Sequence, residues 1–284
     1  MSEETDALLE RSIRLGWASF KSAWALLLVA VLAAGFASVP GAVIGQIGQI
    51  AGFVLGRSGW SARETFILFI SVAAFGQVVA YLTYWPAYAG ALVAAVRAQR
   101  GHRNDFKALF SGFRRFPSVV GASFVCAVLA AAAWFPFAYF VVGAFEGMLS
   151  GASQRPDLSQ VNIPGAVIAA LVATVLNFLV YARLGLAPLR AADPDLPKVG
   201  AVEALRYSFE LTRGRTMIAI GMTILTGTVL VLSVLLCGIG VLLVGQPLAL
   251  ALNAGFYRAL RRESDPPPLA HAPWSGAVPP QTPV

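Results

Sequence analysis

The chain has 284 residues, of which 57% are hydrophobic and 12% are charged. An ordinary soluble domain has roughly 25% charged residues. A soluble protein of this size could not bury so much apolar surface. This composition excludes a soluble globular domain and indicates a chain with many segments in lipid. The formal net charge of +7 favours basic cytoplasmic loops over nucleic-acid binding, because Lys and Arg concentrate on the cytoplasmic side of membrane proteins.

Six apolar stretches follow one another, at 22–43, 65–96, 118–143, 163–189, 216–237 and 239–257. Each is long enough to cross the ~30 Å hydrocarbon layer as a helix. They predict an all-α fold, a polytopic membrane helix bundle with six transmembrane helices, in an integral membrane domain over residues 1–262. The tail, 263–284, is rich in proline and is expected to be a disordered cytoplasmic segment.

The basic residues predict the orientation of these helices. Of the 21 Lys and Arg residues, only Arg57, Arg63 and Arg155 fall in the connections after the first, third and fifth spans. All the others lie toward the opposite ends of the spans. The positive-inside rule then places both termini in the cytoplasm, and we expect a multi-pass protein of the bacterial cytoplasmic (inner) membrane.

An amphipathic segment precedes the first, third and fifth spans. Its apolar residues recur at helical spacing, with Lys or Arg on other faces. The apolar stripes are Leu9, Ile13, Trp17, Phe20 and Trp24; Phe106, Leu109, Phe110, Phe113 and Phe116; and Val202, Leu205, Phe209 and Thr212. Two interpretations stay open: helices that lie along the membrane surface, or helical extensions packed beneath the bundle.

Two arginine pairs mark the points where these segments enter the membrane. Arg114 and Arg115 directly precede the third span, and Arg213 and Arg215 flank Gly214 before the fifth. A cation at this depth gains ~1 kcal/mol from anionic lipid head groups. We therefore predict that all four arginines contact anionic lipids. The alternative is that they only set the topology during insertion.

The stretch "WPAYAGALVAAVRAQR", residues 85–100, recurs in register as "QPLALALNAGFYRALR", residues 246–261. Pro86 and Pro247 each stand eleven residues before an arginine, and we expect a helix kink at both prolines. The end of the fourth helix keeps only Arg190-Ala191-Ala192. These similarities between stretches predict an internal repeat of three units, each an amphipathic helix followed by a membrane hairpin.

Five glycines recur on one helical face after the first span: Gly41, Gly45, Gly48, Gly52 and Gly56. Their spacing includes GxxxG pairs, which let two helices approach closely in lipid. Pro40, directly before them, predicts a kink or break in the helix. One interpretation is a re-entrant or pore-lining half-helix. The favoured interpretation is a ridge for helix packing.

Recognisable catalytic patterns do not occur in the sequence. There is no G-x-S-x-G, P-loop or dinucleotide motif, and neither His102 nor His271 belongs to a metal-binding spacing. Asp193 and Asp195 flank a proline, where they fit a turn more simply than a site for a hard cation. We expect no enzymatic activity, no cofactor and no metal.

The stretches "LGWASFKSAWALLLV", "YWPAYAGALVAAVRAQRG", "LFSGFRRFP", "YARLGLAPLRAAD" and "ALRYSFELTRGR" span most of residues 10–262. Together they resemble a poorly characterised bacterial membrane family. It includes the membrane domain of some glycerophosphodiester phosphodiesterases and its stand-alone relatives. The resemblance implies a six-helix domain that accompanies envelope or lipid-related enzymes, and it supplies no catalytic residues.

The sequence thus predicts a non-enzymatic integral membrane protein that organises or anchors envelope or lipid-related partners. Its expected partners are membrane lipids, through anionic head groups at the cytoplasmic face, and a further protein; no nucleic acid is expected. The alternative is a transport or lipid-translocation module with a path lined by the glycine segment, 41–56.

Overall fold

The chain folds into α-helices in the computed structural model, which describes residues 3–57, 60–102, 105–149, 162–235 and 240–261. Within these ranges there is no strand. The helices are α1 (Glu3–Arg57), α2 (Ala62–Gln99), α3 (Ser111–Arg114), α4 (Phe116–Ala133), α5 (Phe135–Leu149), α6 (Ile163–Leu184), α7 (Ala187–Ala192), α8 (Ala201–Leu211), α9 (Thr216–Val234) and α10 (Gln246–Leu260). A 3₁₀ turn (Phe106–Phe110) precedes α3, and a π-helical turn (Val241–Gly245) precedes α10. The predicted disordered tail, 263–284, lies outside the described residues.

Five segments of the described chain are long and apolar enough to cross a membrane. They are Asp6–Leu55, Arg63–Gln99, Phe116–Ala133, Ile163–Ala192 and Thr216–Val234. The protein is therefore an all-α membrane protein. The predicted count of six such spans is not reproduced, because the last predicted span, 239–257, is not among these five.

The missing span corresponds to the π-helical turn and α10. Leu242, Leu243 and Val244 of the turn are exposed, whereas α10 faces protein rather than lipid. Almost all of α10 is buried. A helix surrounded by protein can carry polar residues such as Gln246, Asn253 and Arg258, and these lower its apolar character. The sequence pattern alone does not distinguish such a buried helix from one that faces lipid.

Both ends of the described chain nevertheless lie at one end of the bundle. Ser233, near the end of α9, lies against Gly245, directly before α10. At the other end of this pair, Arg215 before α9 donates a hydrogen bond to the Leu260 carbonyl at 3.4 Å. α10 therefore runs antiparallel to α9 and returns to the level where α9 begins. The start of α1 lies at this same end, since its residue 12 packs against α10.

α1 bends at Ala23 rather than breaking at Pro40. Ala23 has φ −128° and ψ 21°, outside the helical region, and the helix continues through Pro40 to Arg57. Nearly the same backbone conformation occurs at Arg115 before α4 (φ −115°, ψ 32°) and at Arg215 before α9 (φ −122°, ψ 24°). Each amphipathic segment thus joins its span through one residue in this conformation.

The third predicted span, 118–143, consists of two helices in the structure. α4 ends before Trp134, and α5 begins at Phe135. Pro136 is the second residue of α5. Proline is tolerated at the start of a helix, where its missing N–H would have no partner in the helix, but not in the interior. The continuous helix expected from the apolar run is therefore interrupted.

Candidate functional site

Arginines and aspartates meet where α2, α7 and α10 end, at the same end of the bundle as both ends of the described chain. We call this group the arginine cluster. It consists of Arg97, Arg100, Arg190, Arg258 and Arg261, with Asp105, Asp193 and Asp195. The cluster thus joins α2, α7 and α10, which stand at the ends of the three predicted units.

The turn that contains Asp193 and Asp195 connects these helices. Arg97 pairs with Asp195 and with Asp105, and Arg100 donates to Asp195 Oδ2 at 2.7 Å. Asp193 Oδ2 lies 3.8 Å from a guanidinium nitrogen of Arg100. It lies equally far, 3.8 Å, from one of Arg261. These carboxylates are therefore engaged by arginines, in agreement with the turn interpretation of this segment.

The two aspartates of the turn differ in their electrostatic environment. Asp193 is 1% exposed, and burial raises the pKa of its carboxyl above the ordinary value even though two guanidinium groups are near. Arg97 instead lowers the pKa of the more exposed Asp195 carboxyl. Because a lowered pKa favours the carboxylate, Asp195 stabilises the fold at neutral pH, and this contribution is lost as the pH falls through its folded pKa.

Arg258 is buried at the centre of this end of the bundle, with 2% of its surface exposed. Its guanidinium donates to the Gln99 carbonyl at 2.8 Å. The Gln99 side chain in turn donates to the Ala251 carbonyl at 3.0 Å. The ends of α2 and α10 are thus joined by two reciprocal hydrogen bonds, which satisfy polar groups that would be costly to bury without partners.

The convergence explains why the end of the repeated stretch is so rich in arginine. Arg100 and Arg261 occupy the same place in the two copies of the stretch, three residues after Arg97 and Arg258. Asp193 occupies this place after Arg190. In the structure both Arg100 and Arg261 face Asp193. The sequence revealed the echo but not that its three ends meet.

The four arginines predicted to contact lipid differ in their surroundings. Arg115 donates to the Leu196 carbonyl at 2.9 Å, and Arg215 binds a carbonyl at the end of α10. Both therefore connect the start of a span to another part of the bundle. Arg114 and Arg213 are exposed. Their exposure leaves them accessible to a lipid head group, and lipid contact at all four positions stays a prediction.

The amphipathic segments turn their large apolar residues outward and their small residues toward the bundle. Exposed residues include Trp17, Phe106, Phe110, Phe113, Val202 and Phe209. Buried residues include Ser12, Gly16, Ser19, Ala108, Ser111, Gly112, Ala204 and Ser208. Two residues assigned to the stripes, Leu109 and Thr212, are buried instead. Outward aromatic residues beside exposed arginines are typical of helices that lie at a membrane surface.

Gly41 and Gly48 lie where α1 packs closely on α2. A Cβ atom at Gly41 would overlap Ala80 of α2, and one at Gly48 would lie 2.8 Å from Val72. Small residues at such a crossing let two backbones approach in lipid. No room for a path is left between the two helices at these points.

The other glycines of the segment have different surroundings. A Cβ at Gly45 would meet no atom within 4 Å, and the nearest atom to one at Gly52 would be 3.8 Å away. The surroundings of Gly56 lie outside the described part of the chain. The segment belongs to one continuous helix, α1, that lies alongside α2.

The two prolines of the repeated stretch occupy different helical positions. Pro86 lies inside α2, whereas Pro247 is the second residue of α10. Because proline has no N–H, Pro247 cannot donate to the Leu243 carbonyl four residues earlier. The Trp24 indole N–H donates to that carbonyl at 2.8 Å. α1 thus supplies a hydrogen bond that α10 cannot, and a kink at Pro86 or Pro247 stays a prediction.

A cavity of about 450 Å³ lies between α2, α4, α6, α9 and α10, directly beneath the arginine cluster. Tyr88 and Tyr181 line it, and each stands nine residues before an arginine of the cluster. This common spacing is a sequence signal that the search for chemical motifs missed. Within the described residues, no group of three or more His, Cys, Asp or Glu comes together as metal ligands.

Comparison of the chain with protein-family models, with curated proteins and with solved structures returns no match. The resemblance to the membrane domain of glycerophosphodiester phosphodiesterases therefore stays a prediction.

Proposed function

We propose that this is a non-enzymatic integral membrane protein that organises anionic lipids and lipid-related partners at the cytoplasmic face of a bacterial inner membrane. The observation that carries the proposal is the exposure of Arg114 and Arg213 beside outward-facing apolar side chains. Phe113 is 41% exposed and Met217 is 77% exposed, each next to the point where a span begins. Such a pairing of cation and apolar residue matches the boundary between head groups and acyl chains.

The proposal places the arginine cluster and both termini in the cytoplasm. Both ends of the described chain lie at the end of the bundle that carries most of the Lys and Arg residues, and the positive-inside rule assigns that end to the cytoplasm. In this orientation α10 returns to the cytoplasmic end and forms a sixth crossing, although protein rather than lipid covers it.

Packing between helices supports three repeated units. The 3₁₀ turn and α3 pack on α2, α8 packs on α7, and the start of α1 packs on α10. The second and third amphipathic segments therefore each lie on the helix before them, α2 or α7. The first segment lies on α10, the last helix of the described chain, so the contacts form a ring. The shared backbone conformation at Ala23, Arg115 and Arg215 is further support. In this arrangement the amphipathic segments surround the cytoplasmic end of the bundle.

The alternative, a path for transport along the glycine segment, has less support. Gly41 and Gly48 bring α1 directly against α2, which favours a packing role at these positions.

Anionic lipid should bind less well when the two exposed arginines are replaced together. We expect the Arg114→Gln/Arg213→Gln variant to insert normally but to co-purify with several-fold less phosphatidylglycerol and cardiolipin. Two cations at the head-group level are worth about 2 kcal/mol, or roughly thirty-fold in affinity. Quantitative mass spectrometry of lipids extracted from the purified protein measures the loss.

The matched control is Arg206→Gln. Arg206 is 80% exposed but is paired with Glu210 at 2.8 Å, so its removal leaves the lipid content nearly unchanged. Equal lipid content in the double variant and in the unmodified protein would contradict the proposal and leave these arginines as topology signals.

A further inference from the structure

The cavity between α2, α4, α6, α9 and α10 has the form of a binding site. Along α9 its lining extends from Ala219 to Leu230, which corresponds to roughly 16 Å of helix. Its volume of about 450 Å³ lies within the range of roughly 300–1,000 Å³ that is usual for small-molecule pockets. Leu186 and Pro188 close it toward the arginine cluster, and both are buried.

The α6 wall of the cavity is partly exposed. Phe178 and Tyr181 line this part, and they are 36% and 40% exposed. Both residues belong to the candidate span Ile163–Ala192. An entrance within a membrane span faces acyl chains rather than water, so a ligand has to arrive dissolved in the bilayer.

The wall of the cavity is rich in aromatic side chains. On α2, the rings of Tyr84 and Tyr88 stack with centroids 5.6 Å apart, and Trp85 meets Tyr88 edge-on at 5.8 Å. Phe256 of α10 contributes a further ring. Flat aromatic faces favour a ligand with a planar or chain-like apolar body.

The polar groups of the lining are uncharged. The described residues that line the cavity include no Asp, Glu, Lys, Arg or His. The Tyr88 hydroxyl interacts with the Asn253 side chain, and Thr223 donates to the Ala219 carbonyl of its own helix at 2.9 Å. Hydroxyl and amide groups in an apolar site bind a neutral polar group, whereas a phosphate here would lack a cation.

We propose that this cavity binds an uncharged lipid whose small head group accepts hydrogen bonds from the tyrosines and Asn253. A membrane quinone and a diacylglycerol share this chemistry, since both carry carbonyl groups on an apolar tail. This site is separate from the basic surface that we propose for anionic lipids, and the two proposals can fail independently.

Two glycines of α9 allow the cavity to be filled with a matched control. Gly227 lines the cavity, and a Cβ atom there would meet nothing within 4 Å. Gly221 is also free of neighbours within 4 Å of a Cβ but does not line the cavity. Gly227→Phe therefore introduces a ring into the site, and Gly221→Phe makes the same change elsewhere on the same helix.

The test titrates the purified full-length protein in detergent with two probes, a short-chain ubiquinone and dioctanoylglycerol. We expect saturable binding of at least one probe to the unmodified protein and to Gly221→Phe. Gly227→Phe should weaken binding at least ten-fold. Quenching of tryptophan fluorescence reports the quinone, isothermal titration calorimetry reports the diacylglycerol, and the probe that binds identifies the source of the lipid.

Saturable binding of neither probe by the unmodified protein would overturn the proposal, and so would equal binding by Gly227→Phe. If Gly227→Phe does not fold, Gly227→Leu is compared with Gly221→Leu by the same titration. A selective loss of phospholipid on filling the cavity would also contradict an uncharged ligand.

Discussion

Replacing Gly112 by alanine is expected to lower the apparent melting temperature of the detergent-solubilised protein by about 5 °C or more. A Cβ atom at Gly112 would overlap the carbonyl group of Pro86 in α2. Neither atom belongs to a flexible side chain, so the overlap is relieved only by moving α3 away from α2. Overpacking of this kind costs about 1–3 kcal/mol and sometimes more.

Gly221→Ala is the matched control for this substitution. A Cβ atom at Gly221 meets nothing within 4 Å, and alanine has the higher helix propensity by about 1 kcal/mol. The control variant should be unchanged or slightly more stable. Fluorescence-detected size-exclusion chromatography after heating measures both variants, and an unchanged melting temperature for Gly112→Ala would disprove the close contact of α3 with α2.

The second large effect is expected at Arg258. Replacement by alanine removes a buried side chain and leaves the Gln99 carbonyl without the 2.8 Å hydrogen bond from the guanidinium. Cavity formation and an unsatisfied buried carbonyl together should cost about 3 kcal/mol or more of folding free energy. The same heating assay measures the loss.

Two further variants separate the causes. Arg258→Met retains most of the volume, so it should recover the packing part but not the hydrogen bond. Arg206→Ala removes an arginine that is 80% exposed and should change the stability by less than about 0.5 kcal/mol. Equal stability of Arg258→Ala and Arg206→Ala would contradict the stabilising role of the buried hydrogen bond between α10 and α2.

Composition and apolar run lengths are enough to predict an all-α membrane protein, because lipid leaves helices as the simplest way to satisfy the backbone. The number of lipid-facing spans is not predictable in this way. Most of the run at 239–257 belongs to α10, which is covered by protein, and hydropathy does not reveal that coverage. The run at 118–143 is apolar throughout, so its hydropathy does not reveal the interruption before Pro136, where α5 begins.

The amphipathic segments show a second limit of sequence patterns. Phe106, Phe110 and Phe113 form an apolar stripe, and a stripe of this kind usually faces a protein core. In the structure they are exposed, and small residues such as Ala108 and Gly112 face the bundle. Close packing between membrane helices uses small residues, so the buried face is the one that carries the small residues.

The arginine cluster depends on contacts between distant parts of the chain. Arg97 and Asp195 are 98 positions apart, and no local spacing connects them. The echo between Arg100 and Arg261 indicated a repeated role, but only the fold shows that both face Asp193.

The orientation of the bundle is the claim on which the proposed function at anionic lipids depends, and a pair of reporter fusions tests it most directly. A reporter that is active only in the periplasm is fused after Arg262, and a second copy is inserted at Trp60, between α1 and α2. Because both ends of the described chain lie at the basic end of the bundle, the fusion after Arg262 should be silent and the insertion at Trp60 active. Strong periplasmic activity after Arg262 would contradict the orientation and remove the basis for lipid binding at the cytoplasmic face.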